Sequence, residues 1–514
     1  MQSFKIIPTL GRKVDVLPDD VGLFNYLGEG IAQTYDTGGQ NFDLSRRRNA
    51  ASRSYGYQEW SNTVNATATN CLGLFELYDG TNRDHFIFDG GKVYNYNAAT
   101  RNPDDISAGV TFASDNIDIY SIIRVGSYMV FADRAEHVPY KWKNGDANVS
   151  ELIDPSTSSG FTDYKFRFLA YFMNRIVGLH TAATANNDID IRWTGQLPDL
   201  STDVEFPDAN QLFIPNDDPI MGGKTMGQDR FFIYSENSIH QLVYYPDYLA
   251  PFRCYTVVPD QGSPSPHSIV TLGNRHFFFN KNYGFCEYRG DNQIIPIADD
   301  IETDMRDLNS NYYNLMVGTF VPLTREVCWT VCKSGAITPS HLFFYDIEKK
   351  TWRIEDKVMR YVDHWTAYPS FTWQDLHDTL GTSATATWND AGSNTWAFYI
   401  SEKPQLVYAN TNGHTYTHTS NSLVTAAIDG YRVEPVMDFG NKNRRDKLLE
   451  IWLDVGFTGS FSVDISHRSG STTGEVIASS WTSLGSISQN NLEHPVLRVD
   501  KPDKLHQIKW GTQA

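Results

Sequence analysis

An aromatic strand–turn–strand unit recurs along this chain at a spacing of roughly fifty residues, the period range of propeller blades. Its clearest copies are His85-Phe-Ile-Phe-Asp-Gly-Gly-Lys-Val-Tyr-Asn-Tyr-Asn97, Arg230-Phe-Phe-Ile-Tyr-Ser-Glu-Asn-Ser-Ile-His-Gln-Leu242 and Arg275-His-Phe-Phe-Phe-Asn-Lys-Asn-Tyr-Gly-Phe-Cys-Glu-Tyr288. Each copy joins two β-favouring runs through Gly, Asn, Asp or Ser, residues that tolerate positive φ, and so reads as a β-hairpin. One hairpin cannot bury both of its faces. Stacked against its neighbours at this period, it closes a ring of four-stranded sheets around a central channel.

Composition agrees with an all-β chain. At 514 residues it exceeds one ordinary core and calls for two or three units. The 37 Gly, 22 Pro and many Asn supply turns, 13% aromatic residues supply burial, and amphipathic helical stretches are few. No apolar run is long enough to span a bilayer and the first residues carry no signal-peptide core, so the expectation is a soluble protein made in a cytosol. The five cysteines form no CxxC pair, which reads as buried, reduced thiols, with Cys328 and Cys332 on one strand face about 13 Å apart.

Three regions are expected: an N-terminal arm (1–60), a β-propeller (61–425) and a C-terminal antiparallel β-sandwich (426–514). Hairpin turns fall near Asp89–Gly91, Ala132–His137, Thr181–Asp188, Ser235–Ser238, Lys281–Gly284, Ile347–Lys350 and Thr411–Gly413, which gives about seven blades, with long loops or inserts in the last two intervals. Tyr345-Asp-Ile-Glu-Lys-Lys-Thr-Trp352 resembles a kelch-type hairpin whose Trp packs between blades. Beyond residue 426, Leu448–Val455, Ser460–His467, His494–Asp500 and Leu505–Trp510 alternate as strands of a small sandwich.

Negative charge is concentrated in the middle. The first sixty residues hold seven Lys/Arg and seven Asp/Glu and the last 89 hold ten and eleven, whereas residues 61–425 carry 26 against 43. Such a surface is poorly suited to gripping nucleic acid, since affinity for DNA comes chiefly from cations that displace phosphate counterions.

The segment Phe277-Phe-Phe-Asn-Lys-Asn-Tyr-Gly-Phe-Cys-Glu-Tyr-Arg-Gly-Asp-Asn-Gln-Ile-Ile-Pro-Ile-Ala-Asp-Asp-Ile-Glu302 reads as hairpin, acidic loop, Pro-Ile and helix start. It resembles the packaged-DNA stabilisation and tail-nozzle proteins of short-tailed bacteriophages. Asp229–Leu242 upstream, and Tyr345–Trp352 and Val433-Glu-Pro-Val-Met-Asp-Phe-Gly440 downstream, follow the same order, so the resemblance covers residues 165–460 in outline. It implies a structural virion protein of the phage tail, made in the bacterial host cytoplasm. It implies a homo-hexamer below portal and adaptor, in contact with tail fibre or tailspike proteins. Genomic double-stranded DNA would pass without tight binding, be retained in the filled head, and leave at ejection. An acidic wall lets a phosphate-rich rod slide, and the loops Asp146–Phe161 and Thr303–Tyr313 are candidates for subunit contacts or a narrowed lumen.

Two basic clusters are candidate docking residues: Arg46, Arg47, Arg48 and Arg53 beside the aromatics Tyr55, Tyr57 and Trp60, and Arg444, Arg445 and Lys447 in the C-terminal domain. They suit an acidic neighbour or phosphates at a channel mouth, or form solvated turns paired with Asp43, Asp438 and Asp446. Catalytic readings fare worse, and no enzyme, cofactor or metal is expected. Gly222-Gly-Lys-Thr225 echoes the end of a P-loop, but Asp218 stands where its first glycine belongs and a strand follows, so a Gly-rich turn is expected. Asp217/Asp218 and Asp299/Asp300 are adjacent pairs that cannot flank a scissile bond. His414 and His418 are about 13 Å apart by strand rise, too far for one metal. The alternative function is a carbohydrate- or receptor-binding propeller at the tail tip, using Tyr55, Tyr57, Trp142 and Trp193 as surface aromatics; a propeller glycosidase is a remoter third.

Overall fold

A computed structural model describes residues 70–366 apart from breaks at 81, 98–101, 116–118, 135, 154–164, 182–186, 197–199, 203, 247–249 and 334. It also describes 404–410, 415–418, 430–437, 446–452, 462–488 and 496–512, and strand segments of the arm at 5–7, 12–13, 24–28, 31–34, 36–37, 42–43, 52–53 and 57–59. Helix among these residues is confined to short segments such as Glu302–Arg306 and Thr473–Ala478.

Seven antiparallel four-stranded sheets follow one another along the chain. Their innermost strands are Cys71–Tyr78, Ser121–Val125, Phe166–Phe172, Ile220–Met226, Val270–Leu272, Gly318–Val321 and Tyr361–Thr366. Each packs beside the next in order, and the last packs against the first. The chain is a seven-bladed β-propeller. Its ring is closed by sequence-distant pairing: Tyr57–Glu59, in the stretch read as an arm, is the outer strand of blade 7 and pairs with Thr415–His418. A backbone ladder between the two ends of the ring replaces two exposed sheet edges by one closed circle.

Aromatic side chains fill the wedges between blades. Phe86 meets Trp142 at 4.9 Å between blades 1 and 2, Phe172 meets Phe231 at 5.4 Å between blades 3 and 4, and Phe285 meets Trp329 at 4.4 Å between blades 5 and 6. Trp352, buried at 1% exposure, donates its indole N–H to the Ile297 carbonyl at 2.8 Å and so packs between blades 5 and 6, as its hairpin suggested. At the closure, His85 stacks on Trp365 at 4.8 Å while Glu76 accepts from Arg83 and from the Thr366 backbone N–H. These rings are large apolar payloads whose tilted and edge contacts add specificity to burial.

The hairpin reading locates every blade but slips phase in one. Six of the expected turns join the second and third strands of a blade, whereas Ile347–Lys350 joins the third and fourth strands of blade 6, His341–Asp346 and Thr351–Asp356. The preceding hairpin, Glu326–Val331 to His341–Asp346, turns through Lys-Ser-Gly-Ala and carries a weaker signal. A long interval also separates Tyr361–Thr366 from Pro404–Ala409 within blade 7.

The C-terminal domain pairs a four-stranded sheet with the antiparallel pair Asp446–Trp452 and Val496–Asp503, between which two strands and a helix of the chain intervene. The larger sheet runs Gly430–Val433, Leu505–Thr512, Ser462–Gly470, Thr482–Ser488. The two sheets close over Met437, Ile451, Val463, Ile465, Ile487, Val499 and Ile508, the core of a β-sandwich. The helix Thr473–Ala478 was not foreseen; Thr472 caps it by accepting from the Glu475 N–H, and Val476 is buried against Val436 and Leu505.

Candidate functional site: the axial channel and the docked arm

Innermost strands determine what reaches the propeller axis. In blade 4 this strand is Ile220–Met226, so Gly222-Gly-Lys-Thr225 is not the turn expected from sequence. A register shift between Ile220 and Gly222 marks a bulge, and a Cβ on Gly223 would lie 2.6 Å from Phe231 and 2.8 Å from Leu179. Glycine is therefore needed for close approach of blades, not for cradling phosphate on a helix. Lys224 projects to solvent in the channel. Enclosure by protein lowers its pKa, an effect that Asp363 on the innermost strand of blade 7 opposes.

Around it lie side chains from other blades. The ring of Phe168, on blade 3, is 6.3 Å from that of His267, just ahead of the innermost strand of blade 5, and the Arg167 guanidinium lies 5.1 Å from the same Phe168 ring. Arg360, which opens blade 7, is fully buried and donates to the Leu315 carbonyl at 3.5 Å. Burial brings Arg360 down to about 10 and His267 down to about 3, with Lys224, Arg167 and Arg360 adding to the effect on His267. This mouth thus carries lysine and arginine where an acidic wall was expected. Phe168 itself is buried in the core between blades 3 and 4, so the polar groups at this end of the channel rest on an apolar floor.

A second polar centre holds the arm. Arg12 lays its guanidinium on both oxygens of Asp304 at 2.8 and 3.1 Å and lies 3.5 Å from Asp36, while its backbone N–H donates to the Trp352 carbonyl. Lys333 approaches Asp304 at 3.0 Å. Burial works against the Asp304 carboxylate, but Arg12 and Lys333 hold it below the usual range. Asp36 accepts from the Val433 N–H, and Thr37 bonds the carbonyls of Val433 and Glu434. The arm therefore ties blades 5 and 6 to the sandwich. Thr303–Tyr313, expected as an exposed loop, contains the helix that presents Asp304. Nothing local marks this centre in sequence, because Arg12 and Asp304 are 292 residues apart.

The other sequence candidates divide plainly. Trp142 and Trp193, expected as surface aromatics, are 3% and 1% exposed: Trp142 packs on Phe86 and donates to the Asp146 carbonyl, and Trp193 packs on Phe252. Asp218 caps the Asn237–Ser238 turn, and Asp300 lies 3.4 Å from Lys13 of the arm. All five cysteines are free thiols, four of them buried. Arg46, Arg47, Arg48, Arg444, Arg445, Tyr55 and His414 lie outside the described residues. Arg53 and Lys447 are on the strands Ser52–Arg53 and Asp446–Trp452, and Tyr57 on the closing strand. Among the described residues no cluster of three or more His, Cys, Asp or Glu could hold a metal, and no helix is long and apolar enough to cross a membrane.

No protein-family profile matches the chain, and no curated protein matches it. Solved structures do. The extracellular domain of BT4673 from B. thetaiotaomicron matches 72% of this chain at 10% identity and TM-score 0.42, and the chain spans 40% of that domain's length. The WD40 β-propeller domain of Doa1 matches 71% of this chain, and 98% of its own, at 6% identity and TM-score 0.38. YCF48 bound to D1 peptide matches 73% and 98% at 8% identity and TM-score 0.36. At these identities the likeness concerns fold alone.

Proposed function

We propose that the protein is a non-enzymatic structural component of a short-tailed phage tail. It assembles as a hexameric nozzle below portal and adaptor, retains packaged DNA and opens for ejection. The observation that carries this reading is the unit formed by residues 275–306. The segment with the family resemblance folds as hairpin, edge strand and helix, and its Asp304 receives the arm that links propeller to sandwich. A region used to lock domains together suits a load-bearing ring. Asp218 and Asp300 are engaged in a turn cap and an arm contact, which assigns these two carboxylates structural duties.

We assign the DNA path to the axis of the ring, between subunits, because the lysine and arginine near the propeller axis would grip phosphates rather than let them slide. The acidic propeller surface then faces DNA as a weakly binding wall. Basic residues Arg46–Arg48, Arg53, Arg444, Arg445 and Lys447 are assigned to docking on an acidic neighbour. The test is duplex DNA binding by the assembled ring at low and physiological salt. Weak binding at both is expected; tight binding lost on reversing Arg46–Arg48 would overturn the assignment. Retention of immobilised glycans by the isolated chain would favour the receptor-binding alternative.

A further inference from the structure

The mouth of the propeller channel gathers basic side chains from four blades around one lysine that has no hydrogen-bond or ion-pair partner among the described residues. Arg167 comes from blade 3, Lys224 from blade 4, His267 from blade 5 and Arg360 from blade 7. Their convergence is geometric. Arg167 and His267 share the Phe168 ring as neighbour, and a Cβ on Gly222, two residues before Lys224, would touch Pro266 at 3.5 Å, next to His267. Arg360 reaches the Leu315 carbonyl, and the adjacent Met316 carbonyl accepts from Ser265, two residues before His267, at 3.2 Å.

Among the described residues Lys224 has no hydrogen-bond or ion-pair partner, so the three N–H donors of this solvent-facing ammonium are open to a bound acceptor. Among the described residues, the acids whose fields are felt here are Asp363, on the innermost strand of blade 7, at Lys224, and Asp188, on the single turn Asn187–Ile189, at His180. Arginine and lysine thus predominate in a cleft walled by protein, where a charge-assisted hydrogen bond is stronger than on an open surface.

We propose that this mouth binds a tetrahedral oxyanion, a phosphate or sulfate group either free or at the end of a small ligand. Lys224 is its principal donor, His267 a second donor, and Arg167 and Arg360 supply the surrounding positive field. The site lies within each subunit and goes beyond the nozzle role. A small anion there would tie blades 3, 4, 5 and 7 together at the axis.

Titration calorimetry of the intact chain with inorganic phosphate and, separately, with glycerol phosphate tests the assignment. One saturable site per chain is expected. Lys224→Met should weaken it about tenfold or more, the scale of one charge-assisted hydrogen bond, and Lys224→Arg should keep it. Tighter binding of the monoester would identify a ligand end group, and tighter binding of phosphate a free ion. Circular dichroism and a melting curve establish that each variant is folded. No saturable binding, or equal binding by folded Lys224→Met and the parent, would overturn the proposal.

Discussion

At the scale of single residues, buried histidines make the fold acid-sensitive. His240, His276 and His267 would each take a proton near 6.5 when unfolded, but burial lowers them to about 4, about 4 and about 3 in the folded chain. The unfolded state holds more protons across that window, so stability falls as pH drops from about 6.5 towards 4. Asp89 opposes this: burial pushes its carboxyl up to about 7, so its folded form is favoured on acidification. His180 and His341 are likewise lowered by burial, while His364, bonded to Asp363, and buried Asp84 are raised. The lowered histidines prevail, and the melting temperature should decline between pH 7 and 4.5; a flat or rising curve would contradict it. The arm's ion pair gives a second expectation. Asp304→Ala leaves Arg12 and Lys333 without their shared carboxylate, and breaking a buried pair costs about 3 kcal/mol or more. Hydrogen exchange of the Lys13 and Thr37 amides, which bond the Asp36 and Val433 carbonyls, should accelerate about a hundredfold. Unchanged exchange would show that the arm is held elsewhere.

At the scale of elements, the closing strand matters most. Two chains that both lack the arm isolate this strand's effect: compared with a chain beginning at residue 54, one beginning at residue 61 lacks Tyr57–Glu59, leaving blade 7 with three strands and an open edge along Thr415–His418. Its melting temperature should fall by several degrees and its tendency to aggregate rise, as for any unprotected sheet edge; an unchanged melting curve would mean that the ladder contributes little. This strand was not legible in sequence. Three residues carry no periodicity, and their partner lies some 360 positions away, so only the finished ring reveals the pairing. The hairpins were legible because Asp89-Gly-Gly91 and Asn280-Lys-Asn-Tyr-Gly284 join turn chemistry to aromatic runs. Blade 6 lost its phase because Asp346-Ile-Glu-Lys-Lys350 is a stronger turn signal than the true central hairpin. Trp142 and Trp193 were misread as surface residues because composition cannot tell a glycan-facing ring from one wedged between blades. Lys224 was legible as a residue, but its companions Arg167, His267 and Arg360 were not, since blade order alone brings them together.

At the scale of the whole molecule, a seven-bladed ring is stapled to a sandwich by its own N-terminal arm, and its excess negative charge resides in the propeller region. In the proposed assembly the outer walls of each subunit face the DNA. Heterologous contacts between such subunits close only at a fixed rotation, so one stoichiometry is expected. Electron cryo-microscopy of the purified protein, alone and with its adaptor, tests the nozzle assignment most directly. The expected image is a closed six-membered ring with a central opening bounded by the outer surfaces of the propellers, and with the seven-bladed axes displaced from the ring axis. A monomer both alone and with the adaptor, or a ring whose opening coincides with a propeller axis, would contradict it.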